Sequence, residues 1–355
     1  MKPTLKHMGY YHGASFSPDG ERILAIGHSY LTGNFVAIWN ANSGSKEHEL
    51  IFEGEPNLLK IAVAKFNNDG DRIVVLAEDG HDNRDGIRIL HSVSGEQIFH
   101  LGEGHGLDQF ALSRTNDTLL AVGSDWKSLR IWNFKTGKLI RDGEFEPGGE
   151  PLARISPNGQ QYFLTLEDKR PAGIFDIHTG KEVVHFGSGY WDGTFSPEGN
   201  DLLLWWDHAD LWDATTGQKT REFGKASHAG FSPDGKHIFT ASREQNWIRI
   251  WNRSNGEKVF ELQNFQTQQW YANQEPGTPT FSDDGLYIAT CEDNFARIRS
   301  LASGELIKEF ECPQGAVTAV TFRPLSHQIV ITSWAHVETS GYAGLAPSMF
   351  VGDLQ

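Results

Sequence analysis

The sequence predicts an all-β protein, a closed ring of eight sheets with four antiparallel strands each. Three observations carry that expectation. A turn motif, an apolar residue followed by Ser-Pro-Asp-Gly or a close variant, recurs eight times along the 355 residues. A second motif, an alternating apolar stretch closing in Thr-Gly or Ser-Gly (Asn-Gly in one copy), trails each of the first seven copies. Successive copies of the first motif start 50, 46, 43, 40, 36, 50 and 41 residues apart. These intervals scatter around the ~40–45 residues of a four-stranded propeller blade.

Each element follows from the residues. The turns are FSPDG at Phe16–Gly20, FNNDG at Phe66–Gly70, ISPNG at Ile155–Gly159, FSPEG at Phe195–Gly199, FSPDG at Phe231–Gly235 and FSDDG at Phe281–Gly285. LSRTND at Leu112–Asp117 and FRPLSH at Phe322–His327 are degenerate copies. Proline presets φ, Asp or Asn tolerates the turn geometry and Gly supplies a positive φ, so each copy reads as a tight hairpin between a first and a second strand. The runs that follow, such as RILAIG, RIVVLA, TLLAVG, DLLLWW and QIVITS, have the length and apolar content of strands buried on both faces. A third strand such as IRIWN ends at the second turn, and a more polar fourth strand, KEVVHFG or ELIKEFE, suits an outer edge. Outer strands are expected at 45–53, 96–102, 138–146, 181–187, 218–224, 257–263 and 305–311. The eighth repeat supplies no such segment before Gln355, whereas Pro3–Met8 precedes the first repeat as a surplus. Pairing Pro3–Met8 with the final sheet would remove two exposed edges, so residues 1–355 are expected to form one eight-bladed domain with 3–8 as the outer strand of the last blade.

Composition bounds the function. The formal charge of −15 argues against a phosphate-backbone surface and favours basic partners over nucleic acid or anionic lipid. No apolar run approaches the roughly 18–20 residues of a membrane span, and MKPTLKHMGYYHG has no signal-peptide core, so a cytoplasmic location is expected. Cys291 and Cys312 are too few for a disulfide framework and read as buried or incidental thiols.

The two motifs together resemble those of the WD-repeat β-propeller family over essentially the whole chain. The best copies are Phe231–Gly235 with Ile248–Asn252, and Phe16–Gly20 with Ala37–Asn40. The resemblance implies a scaffold of blades often locked by a Gly-His pair, an Asp in the turn between second and third strands, and a Trp on the third strand. Gly104–His105 and Trp132 are present in the third repeat, but Trp126 stands where the Asp would align. The seventh repeat has Asp293, but Arg299 replaces the Trp. Cohesion is therefore expected to rest mainly on apolar packing between sheets.

The resemblance also places the long, irregular connections, His28–Asn34, Glu78–Gly86, Gln263–Thr278 and Ser333–Pro347, on one face of the disc, usually called the top. Variable loops on a rigid scaffold carry function. Trp39, Trp132, Trp212 and Trp251 occupy third strands and Trp205 ends a second strand, all as core. Trp126, Tyr190, Trp191, Trp206, Arg243, Trp247, Trp270, Tyr271, Trp334 and Tyr342 are the candidate partner-binding residues of the top face. Aromatic rings in an acidic protein suit a ligand bearing Lys or Arg through cation–π contact and carboxylate pairing. The plainer reading is that these rings pack loops against neighbouring blades.

Other constellations are weaker. EDGHDNRDG at Glu78–Gly86 offers Asp79, Asp82, Asn83 and Asp85 as oxygen donors but lacks the spacing of a calcium loop. Fifteen histidines are scattered without His-x-His or Cys-x-x-Cys pairing, so neither a metal nor a cofactor is expected. The expected function is a non-catalytic scaffold that binds a protein partner. An enzyme or small-molecule binder at the central mouth, using Asp82, His105, Arg243 and His336, is the alternative. A self-assembling structural subunit is another.

Overall fold

Among the described residues, all regular structure in the computed structural model is β-strand, as the turn-punctuated sequence predicts. The residues described are 10–354, apart from 30–32, 52–58, 80–85, 103–105, 116, 126, 145–150, 167–170, 243, 264–278, 293, 312–316, 325, 327, 334–335, 340–341 and 346–347. Each of the first seven repeats forms a four-stranded antiparallel sheet whose strand order follows the sequence, over 10–51, 59–101, 107–144, 151–188, 192–225, 228–263 and 280–311.

The turn motif builds the first hairpin of each sheet. In the first, the Gly20 amide donates to the Ser17 carbonyl at 2.8 Å. Asp19 Oδ1 accepts from Ser17 Oγ at 2.5 Å and from the Glu21 amide at 3.0 Å, and Ser17 Oγ accepts from the Arg22 amide at 2.9 Å. The same serine-to-side-chain link recurs at Ser156–Asn158, Ser232–Asp234 and Ser282–Asp284. Gly20 has φ +72°, and a Cβ there would lie 3.1 Å from the Arg323 side chain in the turn of the last repeat. Both conformation and space hold glycine at that position.

Because strand side chains alternate, an apolar second strand faces both neighbouring sheets. Leu24 joins Val36 and Ile38 against Ile61 and Ile73 of the second sheet, while Ile23 turns the other way. Val74 and Leu76 meet Leu107 and Leu119 of the third, and Leu120 and Val122 meet Tyr162 and Leu164 of the fourth. Phe163 meets Leu202 and Leu204, Leu203 meets Ile238, Phe239 meets Ile288, and Ala289 meets Val320 and Ile329. Val330, from the last repeat, packs with Ala14, Phe16 and Ile23 of the first sheet. Thr321 Oγ1 also donates across that junction to the Ala14 carbonyl at 3.2 Å.

The expectation of eight four-stranded blades is corrected by the last repeat. Among the described residues the four-stranded sheets number seven. The last repeat gives a three-stranded sheet of Val317–Phe322, Gln328–Ser333 and Ser348–Asp353, and a separate two-stranded ribbon of His336–Thr339 with Tyr342–Leu345. The physical reason lies in the connection read as the irregular loop Ser333–Pro347. Its HVET and YAGL stretches pair with each other, so the chain makes an extra hairpin before returning as the third strand. Among the described residues no strand lies on the outer side of Ser348–Asp353. The expected pairing of Pro3–Met8 there lies outside the described residues.

Arginines stitch the short-turn side. Arg22 Nη1 donates to Ser92 Oγ at 3.0 Å and Arg72 Nη1 to the Phe134 carbonyl at 2.9 Å. Arg253, on the sixth sheet's second turn, donates to Asp201 Oδ2 at 2.8 and 3.1 Å, to Glu198 Oε2 at 3.0 Å and to the Gly235 carbonyl at 2.9 Å, joining the fifth and sixth sheets. Replacing Arg253 with Ala should lower the unfolding free energy in urea by about 1.5–3 kcal/mol, the cost of charge-assisted bonds at a half-buried site. Arg253→Lys should recover less than half of it, since an ammonium lacks the planar fork.

Candidate functional site

The fifth sheet, Asp192–Phe195, Asp201–Trp205, His208–Asp213 and Lys219–Lys225, ends in an exposed pair of indoles. The tight connection between its second and third strands is Trp206-Asp207. Trp191 immediately precedes the innermost strand. The Trp191 amide donates to the Trp205 carbonyl at 2.9 Å and the Trp206 amide to the His208 carbonyl at 3.1 Å, which fixes both residues at one end of the sheet. Their rings stack with centroids 4.9 Å apart and planes at 29°. Trp206 is 52% exposed, whereas Trp191 is half-buried beneath it. Asp207, next to Trp206 in the chain, is exposed, and its carboxylate lies 2.5 Å from His208 Nδ1. A flat apolar ring next to a carboxylate can take the cationic end and methylene stem of a Lys or Arg.

The other two described candidates are packed. Tyr190 donates its hydroxyl to Asp210 Oδ2 at 2.8 Å, sets its ring edge-on to Trp212 and accepts from Thr165 Oγ1 of the fourth sheet at its carbonyl. Burial, with the Asp210 bond and charge, raises its phenol well above the usual value, so it remains a donor. Trp247 is only 4% exposed. Its Nε1 donates to Gln245 Oε1 at 2.8 Å, and the Arg249 guanidinium lies 3.8 Å from its ring centroid. Arg249 is held in turn by Glu261 Oε2 at 2.8 Å. Hydrogen bonds from Lys258, then Arg249 and Gln263, pull the Glu261 carboxyl down to about 2.

Trp126, Arg243, Trp270, Tyr271 and Trp334 lie outside the described residues. Tyr342 falls on the two-stranded ribbon, and its side chain lies outside them. Asp82 and His105 lie outside as well, and His336 opens the ribbon. Among the described residues no group of three or more His, Cys, Asp and Glu is placed to hold a metal, and no helix is long and apolar enough to cross a membrane. Cys291 is half-buried on the seventh sheet's second strand, and Cys312 is outside the described residues.

The third-strand tryptophans sit where the pattern places them. Trp39 and Trp132 are buried, and Trp212 and Trp251 are half-buried, with Trp251 Nε1 donating to Thr240 Oγ1 at 2.8 Å. Two residues went unread. Asp207 was visible in the WWDH stretch, where a carboxylate follows a turn indole. Asp125, and not position 126, is the turn aspartate of the third sheet. Its Oδ1 accepts from the Lys127 and Ser128 amides at 3.0 Å and from Ser128 Oγ at 2.9 Å. Burial opposes its charge, but these bonds win and hold the carboxyl below the usual range.

Turn-punctuated repeats, stacked four-stranded sheets and third-strand tryptophans define the class: the fold is a β-propeller built from WD-type repeats. Among curated proteins it is similar to subunit I of eukaryotic translation initiation factor 3. It is 31% identical to the Coccidioides immitis protein over 254 residues and 27% identical to that of Emericella nidulans over 251, in each case over 69% of this chain and 64% of the relative. The chain thus spans just under two thirds of the length of those relatives. No family model matches it. Among solved structures, the C-terminal WD40 domain of Sif2 superposes with a TM-score of 0.75 at 11% identity, covering 99% of this chain and 97% of that one. The Cps50 (Swd1) β-propeller domain of Myceliophteria thermophila gives 0.57 at 16% identity, covering 81% and 95%. The curated relatives are a translation initiation factor subunit, and the solved neighbours share the propeller fold.

Trp247→Ala should cost about 3–5 kcal/mol of stability in urea unfolding, as for other buried aromatics, whereas Trp206→Ala should cost under about 1 kcal/mol. A folded-state pKa of about 2 against the ordinary 4.5 means that Glu261 stabilises above pH 4.5 and that this contribution fades as pH falls towards 2. The melting-temperature gap between the native chain and Glu261→Gln should therefore be constant above pH 4.5 and close on acidification.

Proposed function

We propose that the chain is a non-catalytic protein-interaction scaffold of translation initiation in the cytoplasm. On this reading it receives a basic segment of a partner protein on the face that carries Trp191 and Trp206. The observation behind the choice of face is the indole stack whose outer ring, Trp206, is exposed, followed directly by the exposed Asp207. Exposed large aromatics cost solubility and act as anchors when a partner covers them. The charge of −15 supports a basic partner and disfavours nucleic acid. The translation role rests on the similarity to the initiation factor subunit. In this proposal Trp126, Arg243, Trp270, Tyr271, Trp334 and Tyr342 are further contact residues for the same partner.

The test is affinity purification of the tagged full chain from its own cells. Initiation-factor proteins should co-purify, and Trp206→Ala or Asp207→Asn should reduce their recovery about tenfold, the scale of an interface hot spot, without moving the melting temperature. Val183→Ala, at an exposed outer-strand position, should leave recovery unchanged. Equal recovery with Trp206→Ala sinks the choice of face. Absence of any initiation factor sinks the translation role.

A further inference from the structure

The innermost strands line the axis of the ring, and one register position recurs on all of them: the residue just before the apolar residue that opens each turn motif. Lys65 pairs there with Val74, Arg154 with Phe163 and Thr321 with Val330, each at the same place on its hairpin. Ser15, Thr194 and Thr280 occupy the same position in the first, fifth and seventh sheets, and the two remaining sheets carry an alanine and a glycine. This level holds two cations and no carboxylate, in a chain whose net charge is −15.

The three threonine hydroxyls on the level are already committed. Thr280 Oγ1 donates to the Val320 carbonyl at 3.0 Å, Thr321 Oγ1 to the Ala14 carbonyl and Thr194 Oγ1 to the Phe195 carbonyl. The two cations remain. Arg154 donates to Asp192 Oδ2 at 2.5 Å, and that carboxylate is buried and also accepts from the Gly193 amide. Lys65 has no acidic partner among the described residues, and its side chain is open to solvent although protein surrounds it. Burial first, and then the like charge of Arg154, lower its ammonium. Lys65 and Arg154 come from the second and fourth sheets. The third sheet between them carries Ala111 at this register position, whose side chain is a methyl group.

We propose that this level of the axial channel is a binding site for a free oxyanion of the phosphate class, held between Lys65 and Arg154 over Ala111. With Arg154 already paired to Asp192, the anion supplies the negative partner that Lys65 lacks among the described residues and offsets the like charge of Arg154. The site is separate from the indole pair and does not depend on the scaffold reading.

The experiment is titration calorimetry of the full chain with inorganic phosphate, in chloride buffer matched for ionic strength. The native chain should bind one phosphate saturably. Lys65→Met should bind it about ten- to a hundredfold more weakly, the loss of one charge-assisted bond, while melting in chloride as the native chain does. Ala111→Glu, which places a carboxylate at this register position, should abolish phosphate binding. If the native chain shows no saturable binding, or Lys65→Met binds as tightly, the proposal is wrong. Should Ala111→Glu fail to fold, the Lys65→Met comparison decides alone.

Discussion

The fold depends on second strands that are apolar on both faces. A sheet whose middle strand reads RILAIG or RIVVLA cannot bury itself, because alternate side chains leave in opposite directions. Ile23 and Leu24 are both fully buried, yet they belong to different apolar clusters on opposite sides of one strand. Stacking on two neighbours is the arrangement that covers both, and it sets the turn lengths, the outer polar strands and the ring itself.

That constraint also decides what is left for function. Inner strands are pinned by hairpins and by bonds between sheets, such as Gln109 Nε2 to the Pro151 carbonyl at 2.7 Å. The short turns are interlocked, with Gly70 fitted against Pro18 of the preceding turn. The ends of the strands on the opposite side have no such demand. The short Trp206-Asp207 connection of the fifth sheet can therefore present its indole to water without loss to the core.

Much of this was legible in the residues. Proline, Asp and Gly name the turns because their backbone preferences are local, and the outer strands fall where the second turn puts them, Lys46–Ile51 within 45–53 for example. The last repeat was not legible. HVET and YAGL look like loop until their mutual pairing is known, and no local preference announces it. Nor could the sequence sort the aromatic candidates. Trp206 and Trp247 both sit at the margins of a second-to-third-strand connection, yet Trp247 is covered by the apolar cluster of Leu203, Trp205 and Ala209 from the fifth sheet and by Arg249, fixed by Glu261 from the outer strand, over its face. Coverage depends on cross-strand partners and not on the residue itself. The Asp125 reading missed by one position for a similar reason, since an alignment counts residues whereas a turn counts hydrogen bonds.

The junction of Val330 with Ala14, Phe16 and Ile23 gives the first sheet the same kind of neighbour that every other sheet has. In an open array of repeats the terminal units need specialised polar caps and can fray independently. Here neither the first nor the last sheet stands as an end. Peeling one away would wet two apolar surfaces at once, so local opening carries nearly the cost of disassembly and the repeats melt as one cooperative body.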